Sequence, residues 1–412
     1  MKKFLTLECI PKDIDKCTKK LSEAITIGAW IQLIPKLGER IEIPTHRLPK
    51  GPGLVVSSGG SSSSPNHCLL TCTHLDQSAT ATADWLQRQG IKAENSLIFN
   101  PLPLHHLSGL MPWWRSHLWG AEHIWLLPKL MRDPIALELY SKSKFEEKVG
   151  PRLLSLVPTQ IQRLLSHPSG LRWLQSFDVI WVGGAPLPAD LAAKARSNQI
   201  RLAPCYGATE TCAMVTILSP DEFLAGKTDC GHPLIDVELR LNKNNALQIR
   251  TPRLALGKWN NGHLEGLQDQ DGWWQSGDSA SLIKDNNLHR LKIIGRIDTA
   301  IHSGGETVFP EKLESKLLSA IRKSQIPVKH LIFLPISDKI WGQRLVGLFK
   351  WEVELTENEQ QKQLTQIDKL LKTWLPYERP LTWYKCPELS PNSAGKWERS
   401  KWKHWLEKNM NK

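Results

Sequence analysis

From about residue 53 to residue 217, short apolar runs alternate with amphipathic stretches, and this alternation narrows the possible folds more than any other feature of the chain. SLIFN at 96–100, HIWLL at 123–127, RLLSLV at 152–157, FDVIWV at 177–182 and IRLAPC at 200–205 have the length and apolarity of buried strands. PTQIQRLLS and PADLAAKARSNQ, each with Pro in its first turn, have the pattern of helices. Strands interleaved with helices stack into α/β layers. From about 229 to 294 the texture changes to brief segments, DVELRL, ALQIR, SLIKD and LHRLKII, separated by Asn, Gly and Asp turns. That texture predicts an antiparallel β region. A smaller α+β unit follows, with helices PEKLESKLLSAIRKS and EQQKQLTQIDKLLKTWL and strands HLIFLPI and RLVGLFK between them. The expected class is therefore α/β: a large N-terminal domain of mixed α/β layers with a β-rich part, then a small C-terminal α+β domain. No internal repeat is present.

The segment GLVVSSGGSSSSPNHC, residues 53–68, holds eight consecutive Ser or Gly residues at 57–64. Composition alone describes a flexible linker. The flanks describe something else. Leu54, Val55 and Val56 have the character of a buried strand, and CLLTCTHLDQSATATADWLQRQG at 68–90 reads as a helix stopped by Gly90. A glycine-rich turn between a strand and a helix presents bare backbone N–H groups to an anion, so the run is a candidate phosphate cradle.

A chain of 412 residues, 41% hydrophobic and 23% charged, has the material for two or three packed domains. No apolar run approaches the roughly 20 residues of a membrane helix, and MKKFLTLECIPKDIDK lacks the apolar core of a signal peptide, so the expected location is the cytoplasm. The eight cysteines are scattered without a CxxC pair, which argues against both a disulfide framework and a zinc ribbon. Cys68, Cys72 and His74 come nearest to a metal cluster, but buried small residues are the plainer reading. The net charge of +12 is densest in GKWERSKWKHWLEKNMNK, residues 395–412. This tail could contact nucleic acid or another anionic partner; the preferred reading is an amphipathic helix whose tryptophans pack inward, because net charge describes solubility and attraction, not function.

Several short motifs then stand in a fixed order. LPLHHLSGL (102–110), SLVPTQIQRLL (155–165) and VGGAPLP (182–188) precede CYGATET (205–211), a rim for a purine and a metal-bound phosphate. WWQSGDSA (273–280) sets Asp278 after a tight turn, where a carboxylate can accept from two sugar hydroxyls. GRIDTAIHSGGETVFPEKLE (295–314) couples an Arg-x-Asp to a Gly-Gly turn, and SPNSAGKWER (390–399) presents Lys396. Singly these are turns, caps and surface residues. Jointly, with SSGGSSSSPN ahead of them, they resemble the adenylate-forming superfamily of acyl-CoA synthetases over residues 54–399. Within it, the VPTQ, GGAPLP and YGATETCAMV segments are most similar to the o-succinylbenzoate-CoA ligases.

The resemblance implies two steps: ATP and Mg²⁺ activate o-succinylbenzoate as an acyl-adenylate, and CoA takes the acyl group on the way to menaquinone or phylloquinone. It gives Lys396 the bridge between acid and α-phosphate, Glu210 the Mg²⁺, and Thr209 a hydrogen bond to phosphate oxygens. Tyr206, Gly207, Gly183, Gly184 and Ala185 would frame the adenine; Asp278 and Arg296 would hold the ribose. Ser58, Gly59, Gly60, Ser61 and Ser62 would cradle the outgoing phosphates, and His106 would lie near the acyl group. Asp298 matches the hinge, dividing an adenylation domain, 1–297, from a mobile domain, 298–412, that brings Gly304 and Gly305 to the pantetheine channel. The implied partners are small molecules, with neither nucleic acid nor membrane insertion.

Two departures stand out. The family's loop ends Gly-x-Pro-Lys, whereas this chain has Ser63, Ser64, Pro65 and Asn66, without the lysine. Fewer than sixty residues precede the loop, which predicts a reduced first sheet. Because o-succinylbenzoate carries a second carboxylate, Thr159, Gln160 and Arg163 are candidates to meet it, with a helix-surface position the plainer reading for Arg163. Two alternatives stay open: a ligase for another carboxylic acid, and a non-catalytic nucleotide-binding or nucleic-acid-binding protein on the same fold. A lysine at the tip of a loop, Lys396, favours an enzyme.

Overall fold

The computed structural model describes residues 3–58, 66–260, 262–285, 288–392 and 397–410. The alternating stretch forms a seven-stranded sheet. Glu122–Trp125, Leu97–Asn100, Arg152–Leu156, Val179–Val182 and Leu202–Ala208 lie side by side and parallel, and Ala213–Ile217 and His232–Pro233 extend the sheet antiparallel. Helices on both faces explain why these strands are apolar throughout rather than alternating. Leu137, Ile161, Trp173 and Leu191, from four helices, pack on one face together with Phe99 and Leu154. Trp85 and Leu86 of helix Cys72–Arg88 cover the other face, with Leu247 and Ile249 of the antiparallel region. That region is a four-stranded sheet, Glu238–Leu241, Ala246–Arg250, Trp274–Asp285 and Leu288–Arg296.

A six-stranded sheet carries the segment around the serine run, and here one expectation is corrected. Phe4–Cys9, Trp30–Pro35 and Gly53–Ser58 are parallel, and Asn66–Thr71, Gly257–Asn260 and His263–Glu265 follow antiparallel. The run therefore joins two paired strands, not a strand and a helix. Residues 68–71 are strand, and the helix begins only at Cys72, where the Thr71 hydroxyl accepts from the His74 N–H at 3.3 Å. The cause is burial on both faces. Cys68 and Leu70 enter one core and Leu69 another, so the segment has no period to tell strand from helix.

Beyond residue 300, Glu306–Val308, Ile301–Ser303, Gly342–Trp351 and Val328–Asp338 form a sheet with Trp383–Lys385 paired parallel to Gly342–Trp351. Leu313, Leu317 and Ile367 from helices Pro310–Lys323 and Glu357–Leu371 cover one face. The terminal helix Arg399–Asn409 covers the other with Trp402 and Leu406, each 1% exposed, as the inward-packing reading predicts. Arg399 anchors this helix. Its guanidinium lies 2.7 Å from buried Glu314 and 3.0 Å from Glu311, whose other contact is the Thr299 hydroxyl at 2.7 Å.

All eight cysteines are free and buried or half-buried. Burial pushes the thiols of Cys9, Cys72, Cys205, Cys212 and Cys230 up to about 12 and that of Cys386 to about 11. Cys68, Cys72 and His74 do not converge as metal ligands. Among the described residues Glu222, His232 and Asp285 do, but the Arg290 guanidinium already sits between them and bonds to all three. No described helix is long and apolar enough to cross a membrane.

Candidate active site

Three of the predicted elements lie beyond the C-terminal ends of neighbouring parallel strands, the edge where open α/β sheets bind ligands. His106 follows Leu97–Asn100 and caps helix Leu107–Trp119; Gly183, Gly184 and Ala185 leave Val179–Val182; Tyr206 and Gly207 end Leu202–Ala208. Gly184 has φ +80°, a left-handed turn suited to glycine. Beside His106, the His105 ring is pushed down to about 4, chiefly by burial.

The YGATET turn is held rigidly. A Cβ on Gly207 would lie 2.2 Å from the Ala213 carbonyl oxygen, so the two strands close only over glycine. The Thr211 hydroxyl accepts from the Ala208 N–H and donates to the Ala213 carbonyl at 2.8 Å. Arg253, with a fully buried side chain, braces the turn from below. It pairs with Asp236 at 2.7 Å, and its Nη1 donates to the Thr211 carbonyl at 3.0 Å. Thr209 and Glu210 sit at the tip. Glu210 is 8% exposed, and its Oε1 lies 2.8 Å from the ammonium of Lys258.

Across from this edge, the antiparallel sheet delivers a carboxylate. Asp278 pairs with Arg296 in strand register, and its Oδ2 accepts from the Tyr206 hydroxyl at 2.6 Å. Arg296 Nη1 stands 3.8 Å from Asp278 Oδ1, and its other nitrogens grip Asp298 at 2.8 and 3.0 Å. Burial raises the Asp278 carboxyl above its usual range, against the pull of Tyr206 and Arg296; the buried Tyr206 hydroxyl is pushed well up and stays a donor. Tyr206→Phe removes one of the groups that hold Asp278 ionised. The carboxyl then titrates at higher pH, and nucleotide affinity measured from about pH 8 down to about pH 5 is expected to fall off earlier than in the unmodified protein.

The structure thus gathers Tyr206, Gly207, Thr209, Glu210, Asp278 and Arg296, with the strand ends at His106 and 183–185 along the same edge. Gly304 and Gly305, at φ +61° and +85°, form the tip of the hairpin between Ile301–Ser303 and Glu306–Val308, and the Gly304 N–H donates to the Trp341 carbonyl in the turn before Gly342–Trp351. Gly59, Gly60, Ser61, Ser62 and Lys396 lie outside the described residues; Ser58 ends its strand. Arg163 is exposed, and the Gln160 side chain caps its own helix by accepting from the Val157 N–H. Two participants escaped the sequence reading. Lys258 and Arg253 are unremarkable in sequence, and only folding brings Lys258 to Glu210 and Arg253 to the Thr211 carbonyl beside it.

The Mg²⁺ expected at Glu210 fits what is there: a shielded carboxylate at the tip of a braced turn, already facing a cation in Lys258.

Residues 58–253 match the family model described as AMP-binding enzyme. Solved structures share the fold. An o-succinylbenzoate CoA synthetase from Bacillus subtilis in complex with its acyl-adenylate intermediate superposes with TM-score 0.72, at 20% identity, over 98% of this chain and 88% of that one. The same enzyme in complex with ATP and magnesium ion gives 0.70 over 98% and 89%, at 20% identity. The fold is the one these two structures share. In sequence, the chain is similar to the 2-succinylbenzoate–CoA ligases of Escherichia coli strain K12, at 30% identity over 74% of this chain, and Bacillus subtilis strain 168, at 25% over 76%. The matched part spans about three fifths of those relatives, 59% and 62% of their lengths.

Proposed function

We propose that the protein is an AMP-forming acid–thiol ligase that activates o-succinylbenzoate with Mg·ATP and transfers the acyl group to CoA, in the cytoplasm, on the route to menaquinone or phylloquinone. The observation that carries this reading is the Tyr206–Asp278 hydrogen bond, which draws a shielded carboxylate from one sheet against the Tyr-Gly-x-Thr-Glu edge of another. A ring site and a ribose acceptor are thereby set side by side. Similarity to the two curated ligases supports the choice of acid.

In this reading the carboxylate of the acid attacks the α-phosphorus, the bond to the β-phosphate oxygen breaks, and pyrophosphate leaves. Both reacting groups are anionic, so the protein must supply oriented positive charge and donors. Asp278 accepts from the ribose hydroxyls, with Arg296 beside it. Thr209 donates to phosphate oxygen, and Glu210 holds the Mg²⁺, which screens the phosphates. Lys396 bridges acid and α-phosphate. The thiol of CoA then displaces AMP from the acyl carbon. For that step we assign residues 298–412 as the mobile domain turning at Asp298. In support, the hydrophobic clusters beyond residue 300 draw on no residue before it, and Asp298 is held by Arg296 on the last strand of the preceding sheet.

The test is turnover. Purified protein with ATP, Mg²⁺ and CoA is expected to release pyrophosphate and form a thioester when o-succinylbenzoate is added. Turnover only with other acids would overturn the choice of acid, and absence of pyrophosphate with any acid would overturn the ligase reading.

A further inference from the structure

Between Lys50 and Lys92 the one Lys or Arg is Arg88, at the far end of the helix that follows the serine-rich segment and its two strands, which themselves contain none. That stretch of sequence therefore brings no lysine or arginine of its own to a triphosphate. The neighbouring strand supplies one. In Gly257–Asn260, Lys258 pairs directly with Cys68, Cys68 pairs with Val56, and Asn66 pairs with Ser58. Paired residues share a sheet face and so do residues two apart, so Lys258 stands on the face of Asn66 as its diagonal neighbour. Such diagonal neighbours lie about 7–8 Å apart, within reach of a lysine. Its ammonium already points to the site, 2.8 Å from Glu210 Oε1, with a side chain only 22% exposed.

We infer that Lys258 is a cation for the β- and γ-phosphates, taking the part of the lysine absent at Asn66. This rests on the reading of Glu210 as the Mg²⁺ ligand. Without nucleotide, the ammonium balances the shielded Glu210 carboxylate. With Mg·ATP bound, Glu210 would hold the metal, and the Lys258 ammonium, released from that carboxylate, would reach the β- and γ-phosphate oxygens, where a charge-assisted bond is stronger than a neutral one. Lys258 therefore serves ATP and pyrophosphate, not the adenosine end.

The full chain is titrated with Mg·ATP, and separately with AMP, in the absence of any acid. Lys258→Met is expected to weaken Mg·ATP binding about 10- to 100-fold, the loss of one charged hydrogen bond, while AMP binding changes less than about twofold. Lys258→Arg keeps most of the ATP affinity. Asn66→Lys changes it by less than about threefold alone, and in the double variant with Lys258→Met it restores affinity to within about threefold of the parent. Thermal melts confirm that each variant is folded. Unchanged ATP affinity in folded Lys258→Met, equal losses for ATP and AMP, or no rescue by Asn66→Lys would each overturn the inference. If the unmodified protein binds no ATP, this inference and the ligase reading fall together; if it binds ATP but activates no acid, only the ligase reading falls.

Discussion

Lys396→Ala is expected to reduce pyrophosphate release by about 10²- to 10³-fold or more, the usual effect of deleting one group that meets developing charge. Thioester formation from a supplied acyl-adenylate should persist near the rate of the unmodified protein, because the adenylate already carries its leaving group. The split between half-reactions is the informative result. A lysine that bridges the acid and the α-phosphate acts only while that bond forms. Loss of both half-reactions in folded protein would mean that Lys396 does something else.

Asp236→Ala is expected to destabilise the fold by about 3–5 kcal/mol, although Lys396→Ala should leave stability unaltered. Asp236 is the only carboxylate bonded to Arg253 among the described residues, and the Arg253 side chain is fully buried. Removing Asp236 strands a charge in the interior, held only by the Ser78 hydroxyl and the carbonyls of Thr211 and Cys212. The damage should reach function, because those carbonyls belong to the turn that carries Thr209 and Glu210. Thermal and denaturant unfolding measure the loss. A melting temperature within a degree or two of the parent would show that the pair is not a brace.

Much of this fold was legible because parallel strands buried on both faces leave continuous apolar runs. SLIFN, RLLSLV and FDVIWV contain the strands Leu97–Asn100, Arg152–Leu156 and Val179–Val182 almost to the residue. The same property hid strand Asn66–Thr71, since CLLT buried on two faces has no period and lies against a genuine helix start at Thr71. The site divided in a similar way. Motifs with distinctive turn chemistry, such as the tyrosine-glycine edge and the Gly-Asp before Ser279, announced themselves. The bond that unites them spans 72 residues and depends on two sheets meeting. Lys258 was still less readable. Its place beside Glu210 follows from a register between strands nearly two hundred residues apart, which no local pattern encodes.

The shielding of every native thiol makes the proposed rotation of residues 298–412 open to optical measurement. Burial raises six of the eight thiols and so removes the small thiolate fraction that reacts, and none of the eight is fully exposed, so alkylating dyes find few competitors. Lys194→Cys on helix Ala189–Ser197 and Lys312→Cys on helix Pro310–Lys323 replace exposed side chains on two elements already bridged by Asp190 and Arg322. A fluorophore pair on these positions would report the opening of that bridge molecule by molecule, without first stripping the protein of its own cysteines.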